Sequence, residues 1–216
     1  MKKELSSCYE YEKELTRVFN RFNKHFWNNE LPDVVITILP SKKSYGYLST
    51  HPRWVDRTGD ESVQKYELNI SANTIDRSPQ EICETLLHEQ VHLYCKINGI
   101  EDTCNNHRYH NKEFKRVAEE HGYIIDELTS RTVGWSKGHF SQSAYYYFKR
   151  LNVKQFKLHR IDTGSSSALI RYECPECRIT KCWCSKEEFI ICGICKIKLV
   201  NMTPERRKKK ESIILQ

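Results

Sequence analysis

The stretch Glu84-Thr85-Leu86-Leu87-His88-Glu89-Gln90-Val91-His92-Leu93-Tyr94 contains the pattern H-E-x-x-H. On a helix, His88 and His92 stand one turn apart on the same side, so their ring nitrogens can converge on a single zinc ion. Glu89 lies beside them, where a carboxylate can take a proton from a water activated by that ion. This is the working core of a metal-dependent hydrolase.

The residues around the pattern specify the helix it needs. Ser78 as N-cap, Pro79 at the first helical position and Glu81 three residues after the serine form a capping box. Gly99 is placed to terminate the helix. At about 100° per residue, Ile82, Leu86, Leu87, Val91, Leu93, Tyr94 and Ile97 fall on one broad apolar arc. His88 and His92 lie together outside that arc, and Glu89 sits on its other margin. The helix is thus anchored by one face while its histidines can line a groove.

The flanking chain reads as α+β. Apolar residues Leu5, Cys8, Leu15, Phe19, Phe22 and Phe26 recur at three- to four-residue spacing, predicting an amphipathic helix of about five or six turns that ends near Asn28-Asn29. Strands are expected at 34–39, at 45–48 and, by alternation, at 66–71, with a polar loop around 57–60. Another helix is expected from Asn111 to His121, stopped by Gly122.

A catalytic zinc takes three protein ligands and leaves one position open for water. The extended pattern H-E-x-x-H-x-x-G-x-x-H does not apply, because Cys95 stands where it needs glycine and Asn98 where it needs histidine. His107, His110 and His121 are the imidazole candidates for the third ligand, and Glu113, Glu119 and Glu120 the carboxylate candidates. Spacing does not choose among them.

Six of the ten cysteines lie between Cys174 and Cys195. Cys174-Pro175-Glu176-Cys177 and Cys192-Gly193-Ile194-Cys195 are two C-x-x-C knuckles separated by 14 residues, a spacing suited to a structural zinc held by Cys174, Cys177, Cys192 and Cys195. Proline and glycine in the knuckles suit tight turns whose amides face the sulfurs. Cys182 and Cys184 are expected on the intervening strand, unbound. Cys8, Cys83, Cys95 and Cys104 are expected to be small buried thiols.

Charge separates the two parts. Residues 1–150 hold 21 basic and 21 acidic side chains, and residues 151–216 hold 14 and 7, so the whole net charge of +7 is C-terminal. Four thiolates on one zinc would leave about +5 there, still enough to favour a polyanion. The aromatic and basic residues Tyr145 to Phe148, Lys149, Arg150, Lys154, Phe156, Lys157 and Arg160 suit contact with single-stranded nucleic acid, and nearly as well surface strands with buried tyrosines. Arg206 to Lys210 form a charged run of the kind that is most often a solvated tail. Gly164-Ser165-Ser166-Ser167 marks a flexible spot near the junction. Mean hydropathy is −0.70, and no apolar run approaches the roughly 18 residues of a membrane span. Charges stand where a signal peptide would need its apolar region, so a cytoplasmic protein is expected, with no membrane partner.

Leu86 to Tyr94, the later Tyr109-His110-Asn111-Lys112-Glu113-Phe114, the preceding Glu67-Leu68-Asn69-Ile70-Ser71 and the N-terminal Phe22-Asn23-Lys24-His25-Phe26 with Leu31-Pro32 together resemble the SprT-like metallopeptidases, which include the DNA–protein crosslink protease Spartan. The resemblance implies that His110, followed four residues later by Phe114, is the third zinc ligand. His107 then becomes a loop residue and His121 a helix-end residue. It also implies a zincin-like metallopeptidase domain at 1–150, helices packed on a small sheet, followed at 151–216 by a zinc ribbon with a basic tail. The expected function is zinc-dependent hydrolysis of a protein substrate, with Glu89 catalytic, one catalytic and one structural Zn²⁺, and DNA, single-stranded above all, as a partner. The competing expectations are a non-catalytic nucleic-acid-binding zinc protein with a structural H-E-x-x-H site, and a zinc hydrolase acting on a non-protein amide.

Overall fold

The computed structural model describes residues 4–41, 44–158, 160–161 and 169–202. The architecture is mixed α+β, in two compact units that divide between Ile161 and Asp162.

The first unit opens with α1 (Cys8–Phe26), capped by the Ser7 side chain, which accepts from the Glu10 N–H. Its buried face carries Tyr11, Leu15, Val18, Phe19 and Phe22. Leu5 precedes the helix and bridges to Phe156, and Cys8 is exposed, so neither belongs to the helical core face. Asn28 and Asn29 take left-handed backbone angles and turn the chain into the sheet.

The sheet is built on β4 (Val63–Ile70). On one side β1 (Val34–Thr37) pairs with it in parallel, and along the other β2 (Gly46–Leu48) and β3 (Trp54–Asp56) pair antiparallel. The polar loop expected around 57–60 is the turn between β3 and β4; β3 itself was not expected. Leu68 and Ile70 of β4 join the helical core. Glu67 and Asn69 are buried too, because each finds polar partners: the Glu67 carboxylate accepts from Tyr47 Oη at 2.6 Å and Trp54 Nε1 at 2.9 Å, and Asn69 Oδ1 accepts from the Leu39 N–H at 2.7 Å.

The central helix, α2 (Pro79–Ile97), has the expected capping box, with both the Ser78 and the Glu81 bonds formed. Ile82, Leu86, Leu87, Val91 and Leu93 are fully buried, and Ile97 at the helix end is exposed. Gln90, also buried, ties α2 to α1: its Nε2 donates to the Phe19 carbonyl at 3.0 Å and its Oε1 accepts from Trp27 Nε1 at 3.3 Å. A hairpin of β5 (Thr103–Cys104) and β6 (Tyr109–His110) leads to α3 (Lys112–Glu120), whose N-cap is Asn111. Next, β7 (Tyr123–Ile124) pairs with β8 (His139–Phe140) ahead of α4 (Gln142–Leu151).

The aromatic run 145–148 is therefore helical, not a surface strand. Phe148 and Phe156 are in the core, Tyr147 stacks on His25 with ring centroids 3.7 Å apart, and Tyr146 is exposed. Residues 153–158 turn back onto α1. Leu5 N donates to the Gln155 carbonyl, and the Lys154 N–H and Arg17 both donate to buried Glu14. That places residues 151–161 with the first unit rather than with the cysteine-rich stretch. Of the scattered cysteines, Cys83 and Cys95 are buried, whereas Cys104, like Cys8, is exposed.

The second unit is a three-stranded antiparallel sheet in the order β10 (Lys181–Cys184), β9 (Ile170–Glu173), β11 (Val200–Asn201). Its core is Tyr172, Leu199, Cys174 and Cys192. The expectations for 164–167 and 206–210 fall outside the described residues. Among the described residues no helix is long and apolar enough to cross a membrane.

Burial works to raise the Glu14 carboxyl, but the Arg17 guanidinium and the Lys154 N–H outweigh it and hold the group below its ordinary value of 4.5. A carboxyl depressed on folding contributes stability above its unfolded pKa and loses it as pH falls through the folded one. Glu14→Gln should therefore lower the unfolding free energy at pH 7 by about 1–3 kcal/mol. In denaturant melts at a series of pH values, the gap to wild type should narrow below pH 4.5.

Candidate metal centres

The faces of α2 and β6 bring three imidazoles to one point. His92 Nε2 lies 3.2 Å from His88 Nε2 and 3.1 Å from His110 Nε2. Ligands placed tetrahedrally at zinc–nitrogen distances of 2.0–2.1 Å stand about 3.3 Å apart, so the three nitrogens nearly have the spacing of a zinc site. His88, His92 and His110 can hold a metal ion as they stand. Burial and the neighbouring imidazoles push His88 well down, and His110 down to about 4, which leaves their lone pairs free for a cation.

The rings are fixed from outside the trio. His92 Nδ1 donates to Asp102 Oδ2 at 2.5 Å, and His110 Nδ1 donates to the Val133 carbonyl at 3.1 Å. These bonds select the tautomers that point Nε2 inward. Burial alone would lower His92, but the Asp102 bond and the charge of Glu89 raise it. The Phe114 ring packs against all three imidazoles, with centroids at 4.7, 4.7 and 4.6 Å from His88, His92 and His110. Asn111 holds these pieces together: its side chain caps α3, its Nδ2 donates to the Glu101 carbonyl and its N–H to that of Asp102. Gly134 completes the clasp. The His110 N–H donates to Val133 and the Trp135 N–H to His110, and at φ +70° a Cβ on Gly134 would lie 2.0 Å from the His110 carbonyl oxygen.

Glu89 faces the same space from the sheet side. Burial pushes its carboxyl up to about 7, against the pull of His92 and of a bond from the Leu48 N–H of β2. A divalent cation at the histidines would draw it back toward the ionised form. Gly46 lets β2 come this close: a Cβ there would meet the Asn69 carbonyl oxygen at 2.8 Å, Thr85 Cγ2 at 2.9 Å and Glu89 Oε1 at 3.2 Å.

The other candidates for third ligand point elsewhere. His107 sits in the left-handed turn of the β5–β6 hairpin, with Nδ1 3.3 Å from Thr103 Oγ1. His121 caps α3, donates from Nδ1 to the Val117 carbonyl and stacks on Trp27 with centroids 4.0 Å apart. Glu113 and Glu120 pair with Arg116, and Glu119 pairs with Lys115. Sequence reasoning missed Asp102, Gly46 and Gly134. Asp102 carries no spacing signal, because its link to His92 exists only once the hairpin has folded back.

In the second unit Cys174, Cys177, Cys192 and Cys195 converge, with all four sulfurs within 4.8 Å of one another. Cys177 and Cys192 are 3.8 Å apart, the separation of about 3.8 Å that a tetrahedral site with 2.3 Å zinc–sulfur bonds requires. The Cys195 N–H pushes the Cys192 thiol down, and the Thr180 and Ile179 N–H groups do the same for Cys177. Burial and the neighbouring sulfurs Cys177 and Cys174 push Cys195 up, so four thiolates need a cation to coexist. The left-handed residue of each knuckle is Arg178 or Lys196, just after its second cysteine, not Gly193. Cys182 and Cys184 lie on β10 outside the group.

A model of the SprT-like family matches residues 15–134, from α1 to the glycine that clasps His110. The chain belongs to the SprT-like family. No curated protein and no solved structure matches it. In this SprT-like chain the three histidines, Glu89 and Asp102 all lie inside the matched span, and the cysteine site lies beyond it.

Asp102→Asn should weaken zinc retention at the histidine site about 10- to 100-fold. Competition with a chelator should release that ion first while the cysteine-bound ion remains.

Proposed function

We propose that the chain is a zinc-dependent metallopeptidase whose first unit is zincin-like and whose second is a zinc ribbon. The observation that carries this reading is the approach of His92 Nε2 to 3.2 Å from His88 Nε2 and 3.1 Å from His110 Nε2, beside Glu89, a buried carboxylate on the helix of His88 and His92. A zinc ion held there would supply Lewis acidity at the scissile carbonyl and lower the pKa of water to about 7. The chain's own groups do the rest. His88, His92 and His110 fill three positions and leave one side of the site to substrate and water. Glu89 takes the proton of the attacking water and returns it to the leaving amine. The Leu48 N–H holds the Glu89 carboxylate against β2, and Asp102 keeps His92 in the tautomer that this geometry needs.

DNA-bound proteins are the proposed substrates, and the second unit is the proposed nucleic-acid contact. On its sheet Trp183 is 57% exposed and stands directly across from Arg171, with Lys181 two residues along on the same face. An exposed indole beside these two basic side chains, both of which also pair with Glu173, offers a stacking surface for an unpaired base. Support from the 145–156 stretch is weaker, because Phe148 and Phe156 are in the core.

Glu89→Gln should abolish cleavage of a DNA-bound protein while both zincs and DNA affinity are retained. Equal cleavage by wild type and variant would end the protease reading and leave the non-catalytic zinc protein in its place. Separately, Trp183→Ala should reduce affinity for single-stranded DNA at fixed salt by about 1–3 kcal/mol. Wild-type affinity should fall as salt rises, and an affinity indifferent to both changes would remove DNA as a partner.

A further inference from the structure

The site has a buried hydroxyl that no metal ligation uses. Tyr123 opens β7 directly after α3, and its ring stands edge-on to His88, with centroids 5.7 Å apart at 80°. Only 5% of its surface is exposed. Tyr123 Oη accepts the Gly138 N–H at 3.1 Å. That bond takes a lone pair, and it is the one hydrogen bond of this hydroxyl among the described residues, so the phenolic proton is left unspent. Glu84 of α2 is engaged by other donors: its Oε1 accepts from the Phe140 N–H at 3.2 Å and from Gln80 Nε2 at 2.9 Å.

A phenol, with an ordinary pKa of about 10, is a neutral O–H donor across the working pH range. The Gly138 N–H polarises it, so the proton it offers is a better one. When water adds to a peptide carbonyl, the carbonyl oxygen gains negative charge. A pre-positioned donor in a dry site stabilises that charge without having to reorganise.

We propose that Tyr123 is a catalytic residue of this site, its hydroxyl donating to the scissile carbonyl oxygen as that oxygen becomes negative. The inference rests on the metallopeptidase reading and adds a residue to it. Its ring stands against His88 from β7, while the Glu89 carboxylate is bonded to the Leu48 N–H of β2, so donor and general base come to the site from different elements. No covalent bond forms to the tyrosine, and its proton stays on the phenol through the cycle.

Tyr123→Phe keeps the ring against His88 and removes only the hydroxyl. Cleavage of an unfolded protein such as casein should fall about 100- to 1,000-fold in kcat with KM little changed. Zinc stoichiometry, far-UV circular dichroism and Tm should stay at wild-type values. A second reading needs no turnover: a phosphinic pseudopeptide, whose anionic oxygens mimic the tetrahedral species, should bind the zinc-loaded variant more weakly by a similar factor. The matching unmodified peptide, measured in the Glu89→Gln background, should bind equally with or without the Tyr123 hydroxyl. Unchanged kcat, or unchanged phosphinic affinity, would overturn the proposal. Loss of zinc or of fold in Tyr123→Phe would assign the hydroxyl to structure and overturn it too. If wild type itself does not cleave, the metallopeptidase reading fails, and the phosphinic affinities still decide whether the hydroxyl reaches the ligand.

Discussion

The His92 Nε2 lone pair lies within 3.2 Å of the Nε2 atoms of both His88 and His110, lone pairs so close repel, and the rest of the first unit can be understood as the means of keeping them there. Two come from one turn of α2, whose opposite face is locked into the core by Leu86, Leu87, Val91 and Leu93. The third arrives on β6 and is held by the backbone of Val133 and Trp135. Phe114 packs against all three rings, and Asp102 orients one of them. A cation removes the repulsion that this framework withstands, so binding energy and local order are linked. The pKa directions agree with this: burial and neighbouring imidazoles lower His88 and His110, and His92 is raised by Asp102 and Glu89.

The two candidate metal centres follow different physical logic. The cysteine site is closed: four sulfurs surround one position, and two of them form the core of a unit whose only other fully buried hydrophobics are Tyr172 and Leu199 among its described residues. So small a core needs a metal to fold against. The histidine site stands in a unit with an ample core of its own, so its metal is not required for burial of apolar surface. Among the described residues it gathers three ligands rather than four, with Glu89 on the same helix bonded to β2 and the Tyr123 ring against His88. A fully ligated metal stabilises a fold, whereas a three-ligand metal with polar groups around its free side is arranged for chemistry.

Much of this was legible in the chain because the signals are local. The capping box at Ser78 and Glu81, the helical spacing of His88 and His92, the Asn111 cap with Gly122 as stop and the paired knuckles each depend on residues within a few positions. The edge strand β3 was not legible, because Trp54 and Val55 are exposed and show no alternation. Residues 145–150 carry no clear helical signal because consecutive tyrosines suit a strand by propensity, and packing of Ala144 and Phe148 on the core makes them helical. Exposure of Cys8 and Cys104 went against the general tendency of free thiols, since one opens a helix and the other sits in a hairpin.

What the sequence by itself determined is the chemistry on offer: two histidines and a glutamate on one helix, and four cysteines at knuckle spacing, each set by periodicities that the backbone imposes. Only the tertiary structure decided among His107, His110 and His121, because that choice depends on where a hairpin folds back and not on any spacing along the chain. The same holds for Asp102, 10 positions after His92, and for Gly46, whose missing side chain lets a strand 43 positions away reach Glu89. Contacts of this kind arise from packing between distant segments, and no local pattern of residues encodes them.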